Sequence, residues 1–120
     1  MDLGELRRLV NAEREKAGVA SLGEDPALEA AARAHAEDMA AREYFSHDDP
    51  EGKSFVDRFR LAGVRFRAGA ENIAWGQRSS SEVLRAWMAS DGHRANLLNA
   101  RYRRLGLGYA EGYWVQTFAD

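Results

Sequence analysis

Ala70-Glu71-Asn72-Ile73-Ala74-Trp75-Gly76 is the stretch of sequence that decides how this chain is interpreted. It places an acid and an amide at the start of an apolar run that a glycine ends, which is typical of a short strand. One histidine stands in a polar segment on each side, more than twenty residues from Glu71: His47 before it and His93 after it. We predict that Glu71, His47 and His93 meet in one cleft.

Length and composition favour one globular domain, residues 1–120, with 45% hydrophobic and 30% charged residues. No stretch approaches the ~20 apolar residues of a membrane helix, and the N-terminus shows no signal-peptide pattern. The net charge of -2 gives no reason to expect a nucleic acid partner. The absence of cysteine excludes disulfides, thiolate metal sites and cysteine nucleophiles. We expect a monomer.

Two helices open the chain. Leu3, Leu6 and Val10 recur at helical spacing and predict an amphipathic helix over residues 3–16. Asp25-Pro26 is an N-cap followed by proline in the first turn, and it begins a helix that runs to about residue 43. An inward face of this second helix carries mostly small residues and one histidine: Leu28, Ala31, Ala32, His35 and Met39. For His35 a buried ring with one hydrogen bond is favoured over a ligand role.

The second half mixes helices and strands. Helices are predicted from Ser54 to Leu61 and from Ser79 to about Asp91, extended pieces over 64–68 and 71–76, a short turn over 95–99 and a terminal hairpin over 105–118. Gly106 and Gly108 leave one strand face without side chains, which favours close helix packing. The order of elements predicts an α+β fold with a small antiparallel sheet covered by helices.

The chemistry of the candidate residues leaves several alternatives open. Histidine is the usual general acid or base and the commonest metal ligand. There is no His-Glu-x-x-His run and no Gly-x-Ser-x-Gly elbow, and Ser46 next to His47 is poorly placed to form a nucleophile pair. Glu71 and Glu82 could form a carboxylate pair, although Glu82 fits a helix N-terminus better.

Polar residues inside apolar runs form a second group of candidates. Asn72 and Asn96 are favoured as buried hydrogen-bonding or capping residues, and Asn72 also stays a candidate ligand-binding residue. Arg94 could bind a carboxylate or pair with a surface acid.

Taken together, these motifs resemble a bacterial, SCP-like member of the CAP superfamily, which groups cysteine-rich secretory proteins, insect antigen 5 and plant pathogenesis-related proteins. The resemblance covers nearly the whole chain, and the motifs follow the order of the family. They are the segments 11–14, 25–39, 44–47, 71–74, 87–96 and 113–118.

This resemblance implies an α-β-α sandwich with about three antiparallel strands, and a cavity lined by two histidines and, in many members, two glutamates. His47, Glu71 and His93 carry over to it directly. The second glutamate does not, because Ser90 and Asp91 stand near its position. Glu82 lies about two turns earlier. The resemblance also implies a location outside the cytoplasm or in the cell envelope.

Three hypotheses follow. The first is a secreted binding module whose cleft holds a divalent cation such as zinc through His47 and His93, with Glu71 as a ligand or as the group that orients an imidazole, together with a small or lipid-like ligand. The second is a hydrolase of peptide or cell-wall bonds that uses Glu71 or a metal-activated water as base. The third is a purely structural cluster of histidine and glutamate. Whether the protein is an enzyme stays open.

Overall fold

The computed structural model describes all 120 residues and contains five α-helices and four β-strands. The helices are α1 (Leu3–Lys16), α2 (Pro26–Arg42), α3 (Phe55–Leu61), α4 (Ser80–Met88) and α5 (Asp91–Leu97). The strands are β1 (Gly23–Glu24), β2 (Gly69–Trp75), β3 (Arg104–Ala110) and β4 (Tyr113–Ala119). None of the five helices is long and apolar enough to cross a bilayer.

The strands form one sheet in the order β1-β3-β4-β2. The three long strands pair antiparallel, as predicted, and β2 lies at an edge. The sheet has one strand more than expected, because Gly23 and Glu24 pair in parallel with the beginning of β3. Two residues are too few to show a strand periodicity, so the sequence does not predict β1.

Helices cover both faces of the sheet and confirm the α-β-α sandwich. On one face α2 and α3 pack, and Ile73 lies there in a cluster with Ala32 and Met39. On the other face α1, α4 and α5 pack, and Ala70 and Ala74 join the cluster of Trp87. Because side chains alternate along a strand, Glu71 shares the α2 face with Ile73, and Asn72 shares the α4–α5 face.

The glycines of β3 let α2 approach the sheet closely. A Cβ atom added to Gly108 would lie 2.5 Å from the carbonyl carbon of Ala32, and one added to Gly106 would lie even closer to the main chain of Leu28. This is the packing role that the sequence favoured for these two glycines. It fixes α2, and with it His35, against the centre of the sheet.

A buried arginine, Arg14, holds the C-terminal end of α5 and the residues that follow it. Arg14 on α1 is fully buried. Its guanidinium donates to main-chain carbonyl oxygens of Ala20, Leu97, Asn99 and Tyr102 at 2.8–3.2 Å. Leu97 is the last residue of α5, and the other three acceptors lie in irregular segments, so Arg14 holds the C-terminal end of α5 in place.

Two elements differ from the prediction. Residues 64–68 are irregular, and β2 begins only at Gly69. His93 was expected in a polar segment between a helix that ends near Asp91 and a short turn over 95–99. This was wrong, because His93 lies inside α5, which begins at Asp91 after the N-cap Ser90. Asp91-Gly92 indicated a helix end, yet α4 ends earlier, at Met88, and Asp91 stabilises the first turn of the next helix.

Candidate functional site

Glu71 lies at the centre of β2, and its side chain is completely buried against α2 and α3. Both carboxylate oxygens accept from Nη2 of Arg58, at 3.0 and 2.9 Å. Arg58 belongs to α3 and is only 11% exposed. A buried carboxylate is tolerated when it is paired and hydrogen-bonded, so this ion pair explains how an acid fits inside the sandwich.

His47 lies against the same carboxylate from the solvent side. Its Nδ1 is 3.0 Å from Oε1 of Glu71, and its side chain is 51% exposed. The Glu71 carboxylate accepts two hydrogen bonds from Arg58 and acts as an acceptor toward His47 as well. Nδ1 of His47 therefore donates, and Nε2 is left for the solvent. The hydrogen bond from His47 to Glu71 raises the pKa of His47, against an opposing effect of burial.

The loop that carries His47 is fixed by Arg58 as well. Nη2 of Arg58 donates to the main-chain carbonyl of His47 at 2.8 Å, and Nη1 reaches the carbonyl of Lys53 at 3.3 Å. One guanidinium therefore holds both the acid and the loop that brings the histidine to it. Nothing in the sequence singled out Arg58, because an arginine beside Phe59 on a short helix is usually solvated.

His35 forms the floor beneath this pair. Its Nε2 donates to the carbonyl of Ser46 at 2.8 Å and lies 4.0 Å from Oε1 of Glu71, while its Nδ1 has no partner. Burial is the main reason why the pKa of His35 is lowered. The structure therefore agrees with a buried histidine that makes one hydrogen bond.

The lowered pKa of His35 predicts acid sensitivity of the fold. The unfolded chain binds a proton on this ring near its ordinary value of 6.5, whereas the folded ring resists protonation. The contribution of His35 to the free energy of unfolding is thus complete above pH 6.5 and is lost as the pH falls toward its folded pKa. Urea unfolding between neutral and acidic pH, with chelator present, measures this loss.

A His35→Gln variant is the control for this prediction, because an amide can keep a donor toward Ser46 without taking a proton. We expect the variant to lose less of its unfolding free energy than the parent over the same pH range. Equal losses in both proteins would contradict the assignment to His35.

Asn72 organises the opposite face of β2. Its Nδ2 donates to the main-chain carbonyl of His93 at 3.1 Å and to Oε1 of Gln116 at 3.0 Å. Its Oδ1 accepts from Nδ2 of Asn96 at 3.0 Å. Asn72 is completely buried. Asn72 therefore attaches α5 to the sheet through its hydrogen bonds and does not line the cleft.

His93 comes near His47 from α5. Its pKa is lowered, first by burial and then by the charge of His47. No hydrogen bond joins the two rings, and His93 is not among the residues that line the cleft around His47 and Glu71. The structure shows no hydrogen bond between the ring of His93 and Glu71.

A cleft of about 390 Å³ opens beside the edge of β2. It lies within the range of about 300–1,000 Å³ typical of small-ligand sites. The residues lining it come from the loop before α3, from β2 and from the α5 side: His47, Asp48, Ser54, Phe55, Gly69, Ala70, Glu71, Asn96 and Tyr102.

The side chains of the cleft do not form a metal centre as they stand. No three of the histidine, aspartate and glutamate residues are grouped closely enough to hold a metal ion. The Glu71 carboxylate is occupied by Arg58 and His47, which leaves it to orient His47 and not to coordinate a metal. The role of His47 and His93 as metal ligands stays a prediction.

The residues considered for a fourth ligand are engaged elsewhere. Glu82 accepts from the main-chain N–H of Arg78 at 3.0 Å, beside the N-terminus of α4. Asp91 pairs with Arg94 on the surface of α5 at 3.0 Å. The structure therefore gives no support for a four-residue site with two acids.

This fold and this cleft define a class of protein. Residues 7–118 match the family described as CAP, the cysteine-rich secretory protein family, and the chain belongs to that family.

Individual relatives are bacterial. The chain is 42% identical to Bacillus subtilis YkwD and 37% identical to the B. subtilis membrane protein YlbC, in each case over 92% of this chain. It covers 44% and 32% of those two proteins, so it spans less than half the length of the curated relatives it matches.

Solved structures share the fold. An extracellular protein with an SCP domain from Bacillus anthracis is 33% identical, with a TM-score of 0.94 over 97% of this chain and 39% of its own. An outer surface protein from Borrelia burgdorferi has a TM-score of 0.92 at 22% identity, over 99% of this chain and 92% of its own, which shows likeness of fold alone.

Proposed function

We propose that this chain is an extracellular CAP binding module whose cleft takes a ligand bearing a carboxylate or carbonyl group through Nε2 of His47. The observation that carries the proposal is the hydrogen bond from Nδ1 of the half-exposed His47 ring to the buried Glu71–Arg58 pair, which leaves Nε2 without a partner in the protein. An extracellular location is supported by the Bacillus anthracis relative, which is described as an extracellular protein.

The raised pKa of His47 favours a ligand with a negative charge. Near and below that pKa the ring is cationic and Nε2 donates, and charge-assisted hydrogen bonds to carboxylates are the stronger kind. Asn96 adds an amide to the same cleft, whereas Phe55, Ala70 and Tyr102 supply its apolar wall. This mixed lining fits a small polar ligand better than a long lipid tail.

Zinc binding is the second form of the same proposal. Two neutral imidazoles, His47 and His93, would be the protein ligands, and Glu71 would hold the His47 ring by its free N–H, as carboxylates do around metal sites. A bound cation would supply a positive centre for the ligand. Calorimetric titration of metal-stripped protein with zinc, beside His47→Ala and His93→Ala, tests it; unchanged affinity in both variants would contradict it.

Titration with acetate, followed by NMR, tests the carboxylate proposal directly. We expect His47→Gln to weaken acetate binding about tenfold, the effect of losing one hydrogen bond to a charged group. Binding to the parent should also weaken as the pH rises through the raised pKa of His47, because the ring then loses its charge.

Arg42→Gln is the matched control for acetate, since it removes one surface positive charge, paired with Asp38 and Glu51, at a residue that does not line the cleft. We expect it to bind acetate like the parent. Equal weakening in His47→Gln and Arg42→Gln would show a general charge effect and would overturn the assignment to His47.

A hydrolase is favoured by one observation as a second candidate. A histidine whose Nδ1–H is held by a carboxylate is the arrangement of an oriented general base. Since Glu71 is buried behind His47, the base would be His47. Cleavage of a peptide or peptidoglycan library that disappears in His47→Gln would support this activity, and no cleavage by the parent would rule it out.

A further inference from the structure

The hydrogen bonds between β2 and β4 determine which main-chain groups of β2 remain unpaired at its free edge. Main-chain N–H groups of Asp120 and Gly76 donate to the carbonyls of Ala68 and Gly112 at 3.1 and 2.9 Å, and both bonds continue the β2–β4 ladder at its ends. In an antiparallel pair every second residue bonds to the partner strand. The even-numbered residues of β2 therefore bond to β4, and the odd-numbered ones direct N–H and C=O outward.

Two outward carbonyls on this edge are already capped by aromatic side chains. The carbonyl of Ile73 accepts from Nε1 of Trp87 at 3.1 Å, and that of Gly69 accepts from the hydroxyl of Tyr102 at 3.4 Å. Both capped carbonyls belong to odd-numbered residues, as the alternation of the β2–β4 hydrogen bonds requires. Between them, no side chain bonds to the main chain of Glu71.

The main chain of Glu71 opens into the cleft. The residue is 5% exposed although its side chain is completely buried, so its exposed atoms are main-chain atoms. Glu71 is also one of the residues that line the cleft, beside His47 and Asn96. An uncapped N–H and C=O pair on an edge strand is a template for a further strand.

We infer that the cleft binds a short extended peptide, which adds to the edge of β2 at Glu71. Its C=O would accept from the N–H of Glu71 and its N–H would donate to the C=O of Glu71, the geometry of strand addition. The caps from Trp87 and Tyr102 limit the pairing to this one residue. The inference rests on the proposed function, because a peptide carboxylate is the group that His47 would bind.

Charge and shape favour a peptide with a free carboxylate. His47 lines the same cleft as the main-chain pair, with its Nδ1 held by Glu71 at 3.0 Å and its Nε2 without a partner, and Asn96 offers a further amide. A lipid would leave the uncapped N–H and C=O without partners, and a desolvated polar group without a hydrogen bond is unfavourable. An extended peptide satisfies both groups.

NMR titration with N-acetyl-trialanine, which ends in a free carboxylate, tests the inference. We expect the amide resonance of Glu71 to move on binding, and its hydrogen exchange, faster than that of Ala70 and Asn72 in the free protein, to slow. Three depsipeptide versions, each with one of the three amides replaced by an ester, remove one N–H donor at a time. At least one should bind about fivefold more weakly, the effect of one hydrogen bond.

The outcomes separate this inference from the proposed function. Shifts confined to the ring of His47, or equal affinity for all four peptides, would overturn strand addition while leaving carboxylate binding in place. No binding of N-acetyl-trialanine would also overturn strand addition, because main-chain recognition does not depend on sequence. In that case the acetate titration alone tests the proposed function.

Discussion

Replacing Arg58 by methionine is expected to lower the free energy of unfolding by about 3–5 kcal/mol, the usual cost of leaving a buried charge without its partner. Arg58 is the only cation that contacts both oxygens of the Glu71 carboxylate, and it also donates to the carbonyl of His47. The change therefore leaves His47 as the carboxylate's only close hydrogen-bond partner and removes the side-chain donor from the carbonyls of His47 and Lys53. Urea unfolding at neutral pH measures the effect.

Two further variants separate the ion pair from simple loss of packing. In the double variant Arg58→Met with Glu71→Leu, no buried charge remains, and we expect most of the lost stability to return. Arg42→Met removes a cation that pairs with Asp38 and Glu51 on the surface, and it should change stability far less. Equal losses in the Arg58 and Arg42 variants would refute the buried pair as the cause.

Replacing Gly108 by alanine is expected to destabilise the protein by at least about 3 kcal/mol, the upper end of the usual cost of overpacking. The added Cβ would lie 2.5–2.6 Å from main-chain atoms of Ala32 and Arg33 on α2. Main-chain atoms cannot rotate aside, so α2 as a whole would have to move. Gly106→Ala should behave in the same way, against Leu28. Thermal and urea unfolding measure both changes.

Gly92→Ala is the matched control, because nothing lies within 4 Å of the added Cβ and the residue is helical. Alanine favours a helix over glycine by up to ~1 kcal/mol, so this variant should be as stable as the parent or slightly more stable. A similar loss in Gly92→Ala and Gly108→Ala would contradict the close approach of α2.

The sequence predicted most of the fold because the patterns that carry it are local. Asp25-Pro26 marked the start of α2, and the alternating glycines of β3 indicated tight helix packing, which the structure shows. The family motifs then predicted the sandwich as a whole. Strand β1 was missed, since its two residues are held by a parallel partner that lies far along the chain.

The candidate site was harder to predict, because its chemistry depends on contacts between distant residues. Glu71 and His47 were chosen correctly as neighbours, yet no pattern in the sequence indicated that Arg58 would occupy the carboxylate. Asn72 was a candidate ligand contact, but the alternation of β2 turns it to the face of α5, where it binds the carbonyl of His93. Arg14 shows the same limit, since a buried arginine looks like a surface residue in sequence.

The central claim is that Glu71 orients His47 and leaves Nε2 as the group that meets the ligand. A long-range proton–nitrogen NMR spectrum across the titration of His47, for the parent and for Glu71→Gln, tests it most directly. We predict a neutral ring protonated on Nδ1, with a pKa above the ordinary 6.5 in the parent and closer to it in Glu71→Gln. A ring protonated on Nε2, with a pKa at or below 6.5 in the parent, would contradict the account.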